Sequence, residues 1–273
     1  MGGGRYAVCI FLAACAMSVW GGERPVLVLG YPEREKQPYI ADAPSDEGIF
    51  KDILSVAAAR IGAELRIERL PKKRVFQYMR EGRVDLYPGS PTPDRDAFMA
   101  WILLGFQSKN VCLVRADVAP FAHLRDAPPM RLIYEVGDSR AHLPKRYPQL
   151  QGIAAAAQMS TDDGVRILRN DYGDLFVTQR ETYLYYIKNM QLGSLEYLGL
   201  RYSEDCLGPA RDYVIGVSKR SRHYAEIPVA DSGHAGGLTQ IDPGSLIGRL
   251  RQALQEMQAS GEAQRLVDRR LAR

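Results

Sequence analysis

The alternation of buried runs and helical periods between Val26 and Tyr87 constrains this fold more than any other feature. Residues 26–29 (VLVL) form an uninterrupted apolar run with β-branched residues, the pattern of a strand covered on both faces. Gly30, Tyr31 and Pro32 break it. Apolar residues then recur with a helical period at Ile49, Ile53, Leu54, Ala57 and Ile61, and Gly62 supplies a stop. Leu65, Ile67 and Leu70 alternate as a second strand. Pro71 opens a short helix with Val75, Phe76 and Met79 on one side, and Gly82 ends it. Residues 84–87 read as a third strand, broken by Pro88 and Gly89. Strand, helix, strand, helix, strand at this spacing predicts an α/β chain with a parallel, doubly wound sheet. Ligands of such sheets sit beyond the carboxyl ends of the strands, which here are followed by loops 31–46 and 88–94.

A second alternating block follows. Strands are expected at 111–114, 131–136, 175–177 and 213–217, with a short strand or apolar turn at 152–157. Helices are expected at 161–168, where the first turn is acidic, and at 181–187. Residues 227–243 are rich in Gly and Pro and read as loop. An amphipathic helix over 245–271, interrupted near Gly261, closes the chain.

Composition excludes several classes. A 46% hydrophobic and 25% charged chain is neither disordered nor a polytopic membrane protein. Its net charge of +4 is spread among Asp and Glu, which argues against a nucleic-acid site. Residues 1–5 are short and positive, and residues 6–20 are apolar but fewer than the roughly 20 needed to cross a bilayer. Residues 1–22 therefore read as a signal peptide, which predicts export to the periplasm. Ala14-Cys15-Ala16 fits a cleavage site, while residues 12–15 also fit a lipobox that would lipidate Cys15 and anchor the protein to the membrane. Cys112 and Cys206 remain in the mature body, as one disulfide or as two buried thiols. His123, His142, His223 and His234 lack metal-ligand spacing, and no nucleophile sits beside a plausible base.

The segment Ser90-Pro91-Thr92-Pro93-Asp94-Arg95 directly follows a strand end. Two hydroxyls, a proline at the first helical position and an arginine one turn in are the parts of an anion site. The guanidinium can grip a carboxylate with two parallel hydrogen bonds. A capped helix start is also common for structural reasons alone.

The order Gly30, Pro38-Tyr39, Gly48-Ile49-Phe50-Lys51-Asp52-Ile53, Gly62, Pro71, Arg74, Gly82, Asp85, then Ser90 and Thr92-Pro93-Asp94-Arg95 resembles the bacterial extracellular solute-binding proteins of family 3. These are type II periplasmic binding proteins that include polar amino acid receptors of ABC transporters. The resemblance covers residues 26–101, thins through the middle, and returns at 174–177, Tyr185-Tyr186, 213–219 and 260–262. It implies a two-lobed type II periplasmic-binding-protein fold, each lobe a mostly parallel sheet flanked by helices, joined by two hinge strands. Residues 25–110 plus 215–273 would form the first lobe and 111–214 the second, with crossings near 110–116 and 207–214. Cys112 and Cys206 then lie close to the hinge strands, a placement that favours a disulfide.

The resemblance also implies a ligand set. Arg95 would grip a carboxylate, helped by hydroxyls and amides at Ser90 and Thr92. Tyr39 would pack on the ligand, and Asp138 and Ser139 would add contacts from the second lobe. The acidic residue with which such receptors hold an α-amino group is replaced by Gln179, with Glu181 two residues on. A neutral amide holds an ammonium less strongly than a carboxylate. The expected ligand is therefore a small polar, carboxylate-bearing solute, either an amino acid or an organic acid. Arg34, Arg74 and Arg140 are expected to be surface charges. The implied protein is a monomeric, non-enzymatic receptor without a cofactor or nucleic-acid partner, serving an ABC permease in the inner membrane. A sensor receptor is the alternative, and a periplasmic dehydratase using Glu181 is a more distant one.

Overall fold

The computed structural model describes residues 23–155, 159–191, 195–229 and 239–272; the expected signal segment with Cys15 lies outside them. Strand β1 (Val26–Tyr31) runs parallel to β2 (Glu64–Arg69), with helix α1 (Ile49–Arg60) as the crossover. Helix α2 (Lys72–Glu81) leads to the short β3 (Leu86–Tyr87), also parallel to β1. A one-turn helix α3 (Pro93–Asp96) precedes the long β4 (Met99–Ser108). After Lys109 the chain enters β5 (Asn110–Arg115).

The second block comprises β6 (Met130–Tyr134), α4 (Leu143–Arg146), β7 (Leu150–Ala154), α5 (Thr161–Arg169), β8 (Leu175–Gln179), α6 (Arg180–Asn189) and β9 (Leu200–Ser203). Strand β10 (Arg211–Ser218) returns to the first block. A pair β11 (Glu226–Pro228) and β12 (Thr239–Ile241) and helices α7 (Leu246–Ala259) and α8 (Glu262–Ala272) follow.

Two five-stranded sheets result, with orders β2-β1-β3-β10-β4 and β7-β6-β8-β5-β9. Each holds three parallel strands extended by antiparallel ones, and each takes one antiparallel strand directly after the chain has crossed between sheets. Alternation within the strands explains their continuous apolar sequence. Leu27 and Leu29 pack with Phe50, Leu54, Leu250 and Leu254 on one face, whereas Val28 packs with Val75, Met79 and Met99 on the other. In the second sheet Leu175 and Val177 join one core with Cys112 and Cys206, and Phe176 joins the opposite one with Val165 and Leu168. Cys112 and Cys206 form a disulfide inside that first core, tying β5 to the segment before β10.

Strands β4 and β9 are absent from the sequence reading. A buried apolar run such as MAWILL fits helix and strand equally, because both of its faces are covered. Strand β9 is a four-residue edge element with little apolar content. Residues 227–243, expected as loop, contain part of β11 and the whole of β12.

Gly48 starts α1 with φ of 140°, and a Cβ there would stand 2.1 Å from the carbonyl oxygen of Tyr39. The close approach presses the loop after β1 onto the start of α1, where the amide of Ile49 donates to the carbonyl of Pro38. Gly48→Ala is expected to cost about 2 kcal/mol or more through backbone strain plus clash. Urea unfolding of the variant would measure it, and an unchanged midpoint would contradict the account.

Candidate ligand-binding site

A cavity of about 480 Å³ lies between the two sheets, within the range of small-molecule sites. It is lined at the carboxyl ends of the parallel strands, by Pro32 and Lys36 after β1, Tyr87 at the end of β3 and Ser90 after it, and Glu135 and Asp138 after β6. Thr178 and Gln179 at the end of β8 complete this edge. Phe50, Tyr87, Phe176, Tyr185, Tyr186 and Tyr213 give the wall its aromatic surface.

Arg95 is buried at 7% exposure and lines the cavity. Its guanidinium lies 5.1 Å from the centre of the Phe76 ring and donates to two neutral carbonyls, Ser90 at 2.7 Å and Gly137 at 2.9 Å. The second bond crosses between the sheets. Arg95 is thus oriented by main-chain oxygens but has no carboxylate beside it among the described residues. Ser90 is exposed at the rim, and its carbonyl, not its hydroxyl, touches Arg95.

Asp138 caps the 3-10 turn Ser139–His142 by accepting the amide of Arg140 at 2.8 Å, and it pairs with the Arg140 guanidinium at 2.9 Å. Burial alone would raise its pKa, yet Arg140, Lys36 and the Arg140 amide outweigh burial and hold it below the usual carboxylate range. Arg140 also donates to the side-chain oxygen of Gln179 at 3.2 Å. Across the cavity Lys72 pairs with Glu135 at 3.0 Å. The backbone of Lys36 bonds to Tyr39 and Ile40, but its side chain has no hydrogen bond or ion pair among the described residues. Its ammonium faces the Tyr39 ring at 6.0 Å, and it keeps some accessible surface because it faces the cavity. Desolvation, with Arg140 and Lys72 nearby, pushes its amine down to about 8. Thr182, at 8% exposure, lines the same wall with a hydroxyl that has no partner.

The cavity therefore brings together Ser90, Arg95, Asp138, Ser139 and Gln179, and leaves out three expected residues. Thr92 begins α3 without a side-chain cap, and four residues make too short a helix to aim a dipole at an anion. Tyr39 is fully buried in the core below, stacked on Phe50 at 5.0 Å and against Tyr213 at 5.6 Å. Its place on the wall is taken by those two neighbours. Glu181 turns away from the cavity at the start of α6, and one of its carboxylate oxygens accepts from Tyr39 at 2.8 Å and Ser108 at 2.7 Å. Burial and then Glu181 raise the Tyr39 pKa well above its ordinary value, so its hydroxyl stays a donor. Arg34 and Arg140, expected as surface charges, both line the cavity, whereas Arg74 is exposed outside it. Lys36, Lys72 and Glu135 were missed. Each stands in a strand-end loop or at a helix start, and that position was their only signal.

No family model matches the chain, and no curated protein matches it. Solved structures do. The ligand-binding core of GluR0 in complex with L-glutamate has a TM-score of 0.67 at 15% identity, over 92% of this chain and 100% of that one. An amino acid ABC transporter substrate-binding protein from Streptococcus pneumoniae, bound to L-arginine, has a TM-score of 0.63 at 15% identity, over 90% and 94%. The substrate-binding protein of another amino acid ABC transporter has a TM-score of 0.61 at 19% identity, over 91% and 100%. The chain has the fold these proteins share, the two-lobed type II periplasmic-binding-protein fold.

The Glu181 contacts make a testable junction between the lobes. The Tyr39 and Ser108 hydroxyls lie 3.2 Å apart, so Glu181→Leu leaves one of the two donors without an acceptor and is expected to cost roughly 1–3 kcal/mol, with Glu181→Gln costing less because one acceptor oxygen remains. Denaturant unfolding ranks the variants, and equal stabilities would show that the junction contributes nothing.

Proposed function

We propose that this chain is an exported, non-catalytic receptor that captures a small carboxylate-bearing solute between its two lobes. The observation that carries the reading is Arg95. It is a buried guanidinium just after the strand-end loop of β3, held in place by carbonyls and without an ion-pair partner among the described residues, in a cavity of small-ligand size. A buried cation of this kind is stabilised by an anion that brings two acceptor oxygens. Ser90, Asp138, Ser139 and Gln179 line the same space, and Tyr185 and Tyr186 supply apolar surface with polar tips.

The structural likeness supports capture of a solute for an importer of the ABC class, since similar folds are described as substrate-binding proteins of amino acid ABC transporters. The apolar segment 6–20 supports export, with the periplasm as destination. Among the described residues no helix is long and apolar enough to cross a membrane. Binding proceeds from the Arg95 side, and contacts across the cleft then complete enclosure.

A thermal-shift panel of amino acids, keto acids, dicarboxylates and small amines tests the reading, because a solute that binds only the folded chain raises its Tm. Carboxylates are expected to shift wild-type protein. Arg95→Ala is expected to lose about 2–5 kcal/mol of affinity by calorimetry, and Arg95→Lys an intermediate amount. Unchanged affinity in Arg95→Ala, or a panel in which only amines bind, would refute it.

A further inference from the structure

The inner wall of the cavity carries more positive charge than its own carboxylates balance. Lys36, Lys72, Arg95 and Arg140 face it with little or partial exposure, against only Glu135 and Asp138. Glu135 is taken by Lys72, and Asp138 by Arg140. Arg95 and Lys36 are left, the first on neutral carbonyls and the second with an ammonium that has no hydrogen bond or ion pair among the described residues. They come from different loops, after β3 and after β1, and both approach the Gly137-Asp138 turn: Arg95 donates to Gly137, and Asp138 lies near Lys36. The remaining cavity carboxylates, Glu35 and Asp162, are exposed at the mouth, where water screens them.

An incoming ammonium would find no inner carboxylate without a cation. The side-chain oxygen of Gln179 is occupied by Arg140 as well. Two partly desolvated cations without an ion-pair partner of their own are costly, and a solute with two anionic groups would neutralise them. Resting on the reading that the cavity captures a carboxylate-bearing solute, we propose that the solute is a small dicarboxylate without an ammonium group, held by Arg95 at one carboxylate and by Lys36 at the other. A planar fork suits the first and a compact ammonium the second.

Calorimetry with succinate and glutarate, their monocarboxylate analogues, aspartate, glutamate and inorganic phosphate tests this on the mature protein, beside Lys36→Met and Lys36→Arg. The diacids are expected to bind at least about tenfold more tightly than the monoacids and the amino diacids. Lys36→Met is expected to lose at least about tenfold for diacids and little for monoacids, while its ligand-free Tm rises because an unpaired cation is gone. Lys36→Arg is expected to retain binding. The groups facing Lys36 are Lys72 from α2, Glu135, Asp138 and Arg140 from the second lobe, and the Tyr39 ring. Because the free amine titrates near 8, diacid affinity should fall as pH rises past about 8 in wild type and not in Lys36→Arg.

Monoacids binding as tightly as diacids, tighter binding of the amino diacids, or unchanged diacid affinity in Lys36→Met would each overturn the dicarboxylate assignment while leaving carboxylate capture intact. Phosphate matching the diacids would overturn it too, since the charge pair would then read any dianion. Failure of every carboxylate to bind wild type would instead remove the underlying reading.

Discussion

The two sheets share no backbone ladder among the described residues, so the space between them is governed by side chains that reach across. The chain passes from one to the other at Lys109 and again through residues 204–210. What spans the gap is polar: Lys72 to Glu135, Arg95 to the Gly137 carbonyl, and Tyr39 with Ser108 to Glu181. Lys188 adds a cation at the C-terminal end of α8, donating to the carbonyls of Leu271 and Ala272. Contacts of this kind are strong when desolvated and readily exchanged for water. An interface held by them is suited to opening and closing, whereas the sheet cores on either side are apolar and stay intact.

The Glu181 junction and the cavity lie on opposite sides of the same aromatic cluster. Tyr39 stacks on Phe50, and Tyr213 packs against both. Phe50 and Tyr213 face the cavity, while the Tyr39 hydroxyl reaches away from it to Glu181. A solute against this wall would press on rings whose far edge is fastened to the second lobe. Such a layer would couple occupancy to lobe position without a separate relay, because packed rings have few ways to yield.

How much of this was legible in the sequence depends on whether the deciding interaction is local. The β1–α1–β2–α2–β3 path follows from periods and breakers that neighbouring residues set by themselves, as do the closing helices around Gly261. Strand β4 could not be read, because burial on both faces removes the period that distinguishes strand from helix. At the site, Arg95 was legible because a strand-end loop fixes where its backbone lies. Tyr39 was misplaced because its direction is decided by Phe50 on α1 and Tyr213 on β10, some 170 residues away in the sequence. Glu181 follows Gln179 by two residues, and the turn into α6 is enough to send the two side chains to different compartments. Lys36 gave no signal beyond its place in a strand-end loop. A single lysine in a polar loop looks solvated until the second sheet is placed opposite it.

That last case explains why the charge balance matters more than any one contact. Natural cavities seldom hold cations without counter-ions, since desolvation penalises each one and the usual response is a shifted pKa or a paired carboxylate. Both responses are present on this wall: Lys36 is pushed down, while Lys72 and Arg140 have partners. Arg95 can take neither the first, because a guanidinium does not give up its proton, nor the second, because its neighbours are carbonyls. Arg95 and Lys36 are therefore the cations of this wall that no carboxylate pairs among the described residues, and an anion is the group that would balance them.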